Sequence, residues 1–136
     1  MKNRDLAKDY VHRAVIRLKA LETLYLEKGY ADVVRESQEV VELCLKALLR
    51  DNDIATPRIH DVSSIIEENK KSLSVLTEAE LESICKISRT LRRDRELSFY
   101  GTEDLTPSEF YRKEDAIAAK DQANIVVAIV RKAVEK

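Results

Sequence analysis

The sequence predicts an all-α fold: an up-and-down antiparallel bundle of four main helices, with short helices in the connections. Three observations carry that reading. The 136 residues include only two Gly, two Pro and no Trp, and Ala, Leu, Val, Glu, Lys and Arg dominate, a helix-forming mixture. Apolar residues recur three and four apart along most of the chain, and strand-like alternation is absent over any useful length. The stretch Tyr30 to Arg50 has an apolar surface so wide that it needs neighbours on more than one side. The length suits one domain, residues 1–136, with a single core.

The totals restrict function. Net charge is -1 although 36% of residues are charged, so no global field draws in a polyanion and any such site must be a local basic patch. Charge begins at Lys2, unlike a signal peptide. The longest apolar run, Ile125 to Val130, falls far below the roughly 20 residues of a membrane span. A cytoplasmic protein is expected, with Cys44 and Cys85 as reduced thiols on buried helix faces. No Cys-x-x-Cys, His-x-x-x-His or Glu-x-x-His spacing occurs, so neither a metal site nor a cofactor is expected.

Taken in order, Asn3 is positioned to cap a first helix running to about Lys28. Ala7, Val11, Ala14, Leu18, Leu21 and Tyr25 form its stripe at alternating four- and three-residue steps. A coiled-coil dimer would use such a stripe, but the other apolar helices of the chain favour packing within the molecule. Gly29 suits the residue just past the helix end. The second helix follows after a very short turn and so should lie antiparallel to the first. Val33, Ser37, Val41, Cys44 and Leu48 make one stripe, with Val40, Leu43 and Ala47 beside it. Glu42 and Lys46 stand four apart with the acid first, the favourable order for a surface pair.

Asp51 to Arg58 is polar and contains Pro57, which marks a connection. Asp61 can cap the next helix, whose buried face is Val62, Ile65 and Ile66. His60, at its entrance, reads more simply as a hydrogen-bonded histidine than as a catalytic base. Thr77-Glu78-Ala79-Glu80 is a capping box opening a long helix with Leu81, Ile84, Ser88 and Leu91 inward. The same spacing next lands on Arg95. An unpaired charge on an inward face is costly, so Arg95 calls for a partner or a ligand. Lys86, Arg89 and Arg93 read as a solvated face, balanced by acids such as Asp94 and Glu96. Phe99-Tyr100-Gly101 ends this helix. Thr106-Pro107-Ser108-Glu109 signals a short helical turn with Pro in its first position. The last helix begins near Glu114 and buries Ala116, Ala119, Ala123, Val126, Val130 and Ala133, its alanines permitting close approach.

Three stretches, in this order, resemble HEPN domains. They are Gln38-x-x-x-Glu42-x-x-Leu45-Lys46-Ala47-Leu48-Leu49, His60-Asp61-Val62-x-x-Ile65-Ile66, and Tyr111-x-x-Glu114-Asp115-Ala116 with Tyr100-Gly101-Thr102-Glu103 before it. The resemblance covers the chain from about Tyr30 to its end, and the first helix fits by position. It implies a dimer. Many HEPN proteins resemble RNA-cutting toxins paired with a small nucleotidyltransferase, in a toxin–antitoxin arrangement. Their signature is an arginine, four to six residues, then a histidine, with two protomers' copies sharing one cleft. The imidazole moves a proton from the attacking 2′-hydroxyl while arginine holds the phosphate.

This sequence has the arginines and lacks the histidine. The positions separated from Arg92, Arg93 or Arg95 by four to six residues run from Leu97 to Thr102, and its histidines are His12 and His60. Tyr100 is a poor replacement, because a tyrosine hydroxyl titrates near 10. The resemblance thus implies a nucleotide- or RNA-binding homodimer in which Arg92 and Arg95 hold phosphate and Tyr100 stacks on a base. Lys46 is an outlying phosphate contact, and pairing with Glu42 is the plainer role for it. Two alternatives stand beside this reading. One is a metal-independent ribonuclease with a departed motif centred on Arg95 and Tyr100. The other is a purely structural helical interaction protein whose arginines only make salt bridges.

Overall fold

The wide apolar surface of the second stretch finds its neighbours. In the computed structural model, which describes residues 2–56, 62–100 and 105–135 apart from the side chains of Lys2 and of 94–100, α2 (Tyr30–Asp51) lies at the centre. It packs against α1 (Lys2–Leu26), α4 (Glu78–Tyr100) and α6 (Lys113–Val134), and α1 also packs on α6. Short α3 (Val62–Glu68) lies on α4 and α2, a 3₁₀ turn spans Lys70–Leu73, and α5 (Pro107–Phe110) bridges α2 and α4. No strand occurs among the described residues, and no helix there is long and apolar enough to cross a membrane.

Both stripes of α2 are covered. Val33, Val40, Val41, Cys44, Leu45, Ala47, Leu48 and Leu49 are all within 1% of complete burial, and Leu43 packs half-buried at the edge. Each fully buried leucine contributes roughly 1.5–3 kcal/mol through the water it sheds. Ala7, Val11, Ala14 and Leu21 of α1 are buried, while Leu18 and Tyr25 are half-buried. Leu81, Ile84, Ser88 and Leu91 of α4 and the expected six residues of α6 complete the core.

The helix starts follow their local chemistry. Thr77 N donates to Glu80 Oε1 at 2.9 Å and Glu80 N to Thr77 Oγ1 at 3.1 Å, closing the capping box of α4. Thr106 and Glu109 do the same for α5, with Pro107 in its first turn. α6 opens one residue earlier than expected, at Lys113, where Arg112 N donates to Asp115 Oδ2 at 2.8 Å.

Three expectations are corrected. Asn3 does not cap α1, because the helix already includes Lys2. Its side chain reaches the far end of α2 instead, donating to Asp53 Oδ1 at 3.0 Å and accepting from Arg50 Nη1 at 3.4 Å. α1 ends at Leu26, two residues short of Lys28. The left-handed position past that end is Lys28, with φ 62°, whereas Gly29 has φ −81°. Lys28 N donates to Tyr25 O and Gly29 N to Leu24 O, the paired bonds of a Schellman ending. Gly29 eases the approach instead: a Cβ there would lie a tight 3.3 Å from the Leu24 carbonyl oxygen. Asp53, with φ 57°, ends α2 in the same way, and Ile54 N donates to Leu49 O at 2.9 Å. Proposed cap Asp61 and His60 lie outside the described residues.

Candidate functional site

The basic run sits in the second half of α4. Leu91 is the last residue of that stripe whose burial is described, and Arg92 and Arg93 beside it are exposed. The backbone stays helical through Tyr100. At about 100° per residue, positions 92 and 95 stand about 60° apart around the axis, and position 100 lies about 80° from 92 on its other side. The helix therefore puts Arg92 between Arg95 and Tyr100, within an axial span of about 12 Å. The side chains of Arg95 and Tyr100 fall outside the described residues, so whether position 95 faces inward stays an expectation from spacing.

The rest of the basic face behaves as a solvated one. Lys86 and Arg89 are exposed, and Arg89 Nη1 pairs with Glu67 Oε1 of α3. A shallow groove beside this pair sets Lys70, Lys86 and Arg89 against Glu67 and Glu82. Two acids among three cations offset most of their attraction for an anion. Cys85 is closed off at its base, with Sγ donating to Ser63 O at 3.6 Å. Cys44 is buried in α2, and burial alone pushes its thiol up to about 12, which suppresses the nucleophilic thiolate.

A second polar row follows the first HEPN-like stretch along α2. Gln38 Nε2 donates to Glu42 Oε2 at 3.1 Å, and Glu42 Oε1 lies 3.2 Å from Lys46 Nζ. Lys46 therefore has the partner its spacing indicated. Arg13 and Arg17 of α1 face Glu39, Glu42 and Lys46 across a cleft, and Arg17 is also 3.5 Å from Glu36. The three cations lining it outnumber its two acids, but Arg17 pairs with Glu36 and Lys46 with Glu42, which offsets most of their pull on an anion. Gln38 is a residue whose setting spacing did not reveal: it is 5% exposed, and its Oε1 is buried without a hydrogen-bond partner. Its position in the motif singled it out, yet only the packing of α2 against several helices encloses it.

His12 lies far from the basic run in sequence and is exposed on a groove between α1 and α6. The groove also includes Lys8, Val11, Val15, Arg131 and Glu135. Arg131 Nε donates to Glu135 Oε2 at 2.8 Å, which offsets one of its cations. His12 is thus surrounded by α1 and α6 and not by α4, matching its place outside the arginine motif.

The family model of the HEPN domain matches residues 7–133, nearly the whole chain. No curated protein matches the sequence.

Proposed function

The chain belongs to the HEPN domain family, and from that premise we propose that it is a dimeric nucleotide- or RNA-binding module. In this reading Arg92 and Arg95 hold phosphate, Tyr100 stacks on a base, and a small nucleotidyltransferase is the partner chain. One observation supports the proposal most: Arg92 is exposed beside Leu91, the last residue of the inward stripe of α4 whose burial is described, near the end of the long helix after which HEPN domains carry their motif. Guanidinium groups suit phosphate because their planar fork donates two parallel hydrogen bonds. Tyr100 follows eight residues later, an axial rise of about 12 Å, and a tyrosine ring is a stacking face that tolerates any base. The missing histidine removes the ordinary proton carrier for 2′-hydroxyl attack, which favours holding the strand over cutting it.

The test is binding of a short single-stranded RNA and of free nucleotide, followed by anisotropy at two salt concentrations. Arg92→Ala combined with Arg95→Ala should weaken binding by tenfold or more and flatten its salt dependence, because two phosphate contacts are lost. Helix content should be unchanged. A wild-type protein that binds neither ligand, or a double variant that binds equally well, would overturn the proposal. RNA cleavage abolished by Arg95→Ala would replace it with the ribonuclease reading.

A further inference from the structure

The groove between α1 and α6 differs from the other two grooves in its charge balance. Lys8, His12 and Arg131 stand against one acid, Glu135, and that acid is already bonded to Arg131 Nε. The other two set three cations against two acids. Among the described residues Lys8 and His12 make no hydrogen bond or ion pair, and neither do the Nη groups of Arg131. The floor between them is apolar, with Val11 buried and Val15 half-buried. The groove encloses about 480 Å³, the size of a small-molecule site.

Helix geometry sets these groups in two facing rows. Lys8 and His12 are four residues apart on α1, as are Arg131 and Glu135 on α6, so each pair spans one turn of about 6 Å. The two helices run in opposite directions, since Lys120 meets Glu22 while Arg131 lies with Val11 and Val15. The positive amino-terminal end of α1 therefore sits beside the negative carboxyl-terminal end of α6, and their dipoles offset each other. Attraction for an anion is left to the side chains. We propose that this groove binds a small phosphate monoester whose body is apolar or aromatic. Arg131 donates from both Nη groups to two phosphate oxygens, and Lys8 adds a compact positive charge. His12 donates an N–H, which an imidazole carries in either charge state. Glu135 steadies the guanidinium through Nε. Val11 and Val15 receive the body of the ligand and shed water against it, a gain that inorganic phosphate cannot make. The site is separate from the arginine-bearing turns of α4 and does not depend on the dimeric, RNA-holding reading.

Titration of the isotope-labelled full chain with phenyl phosphate, followed by amide and imidazole NMR shifts, tests this. Saturable shifts should concentrate on residues 8–15 and 131–135 and include the His12 ring. Inorganic phosphate should bind several-fold more weakly, and phenol should leave the same signals in place. Lys8→Gln and Arg131→Gln should each weaken phenyl phosphate roughly tenfold, the loss of one charge-assisted contact. Both residues are exposed, so helical circular dichroism should not change. Lys19→Gln, exposed on α1 but off the groove, should bind like wild type, as should Arg92→Ala combined with Arg95→Ala. The proposal is overturned if phenyl phosphate gives no saturable shift, if the shifts map to α4, or if the Lys8 and Arg131 variants bind like wild type. Equal affinity for inorganic phosphate would overturn it as well, because the valine floor would then contribute nothing. A 5′-phosphorylated RNA that binds more tightly than phenyl phosphate, with a loss in the same variants, would overturn the small-molecule occupant.

Discussion

Helices α2 and α6 are each 22 residues long, and they fare differently in the bundle. α2 has α1, α4 and α6 around it and buries even Ser37 and Gln38. α6 is made of Ala, Ile and Val over most of its length, yet Ile117, Ala118, Ile125 and Ala128 remain exposed. Burial here follows from the number of neighbours and not from the number of apolar residues. A helix at the centre must hide polar groups, while a helix at the edge has apolar surface left for another molecule. The two also differ in energetics: unpaired Gln38 Oε1 costs stability inside, whereas Ile125 keeps apolar surface in water outside.

The contrast can be tested most forcefully by deleting one side chain in each helix. Leu48→Ala, at a fully buried site of α2, should cost about 2–5 kcal/mol in urea unfolding. Ile125→Ala, measured dilute enough that the chain is monomeric, should change stability by no more than about 0.5 kcal/mol. Comparable losses at the two sites would erase the distinction between centre and edge.

A second difference appears only in alkali. The Cys44 thiol is raised from 9.0 to about 12 by burial, so the native chain keeps its proton while the unfolded chain releases it. The stabilisation is therefore complete below pH 9 and is lost as pH rises from about 9 to about 12. Cys44→Ala should be less stable at neutral pH but lack this alkaline decline, a difference of order 1–3 kcal/mol by pH 11. Val126→Ala in α6 should leave the pH profile of the wild type unaltered, since the buried residues of α6 are all Ala or Val.

The smallest expected effect lies on the solvent side of α2. Lys46→Ala removes the pair with Glu42 at 3.2 Å and should cost about 0.3–0.5 kcal/mol, with the loss shrinking in high salt. Lys132→Ala should leave the monomer unchanged under the same denaturation assay. A cost for Lys132→Ala as large as that for Lys46→Ala would mean that the edge helix, too, uses its charges within the chain.

Much of this molecule could be read from its residues alone. The four long helices, the capping boxes at Thr77 and Thr106, the paired Glu42 and Lys46, and the inward stripes of α2, α4 and α6 follow from interactions three or four residues apart. Those interactions act before distant parts of the chain meet, so spacing is enough to specify them. The arginines of the candidate site were legible in the same way, because a motif is a local pattern.

What packing alone decided involves residues far apart in the chain. Asn3 bonds to Asp53, and Gln38 is enclosed by neighbouring helices with one oxygen unpaired. Nor could spacing tell which of the stripes on α6 the bundle would leave uncovered. Periodicity says which side chains share a face of a helix, but a face becomes core or surface only when other helices arrive against it or fail to.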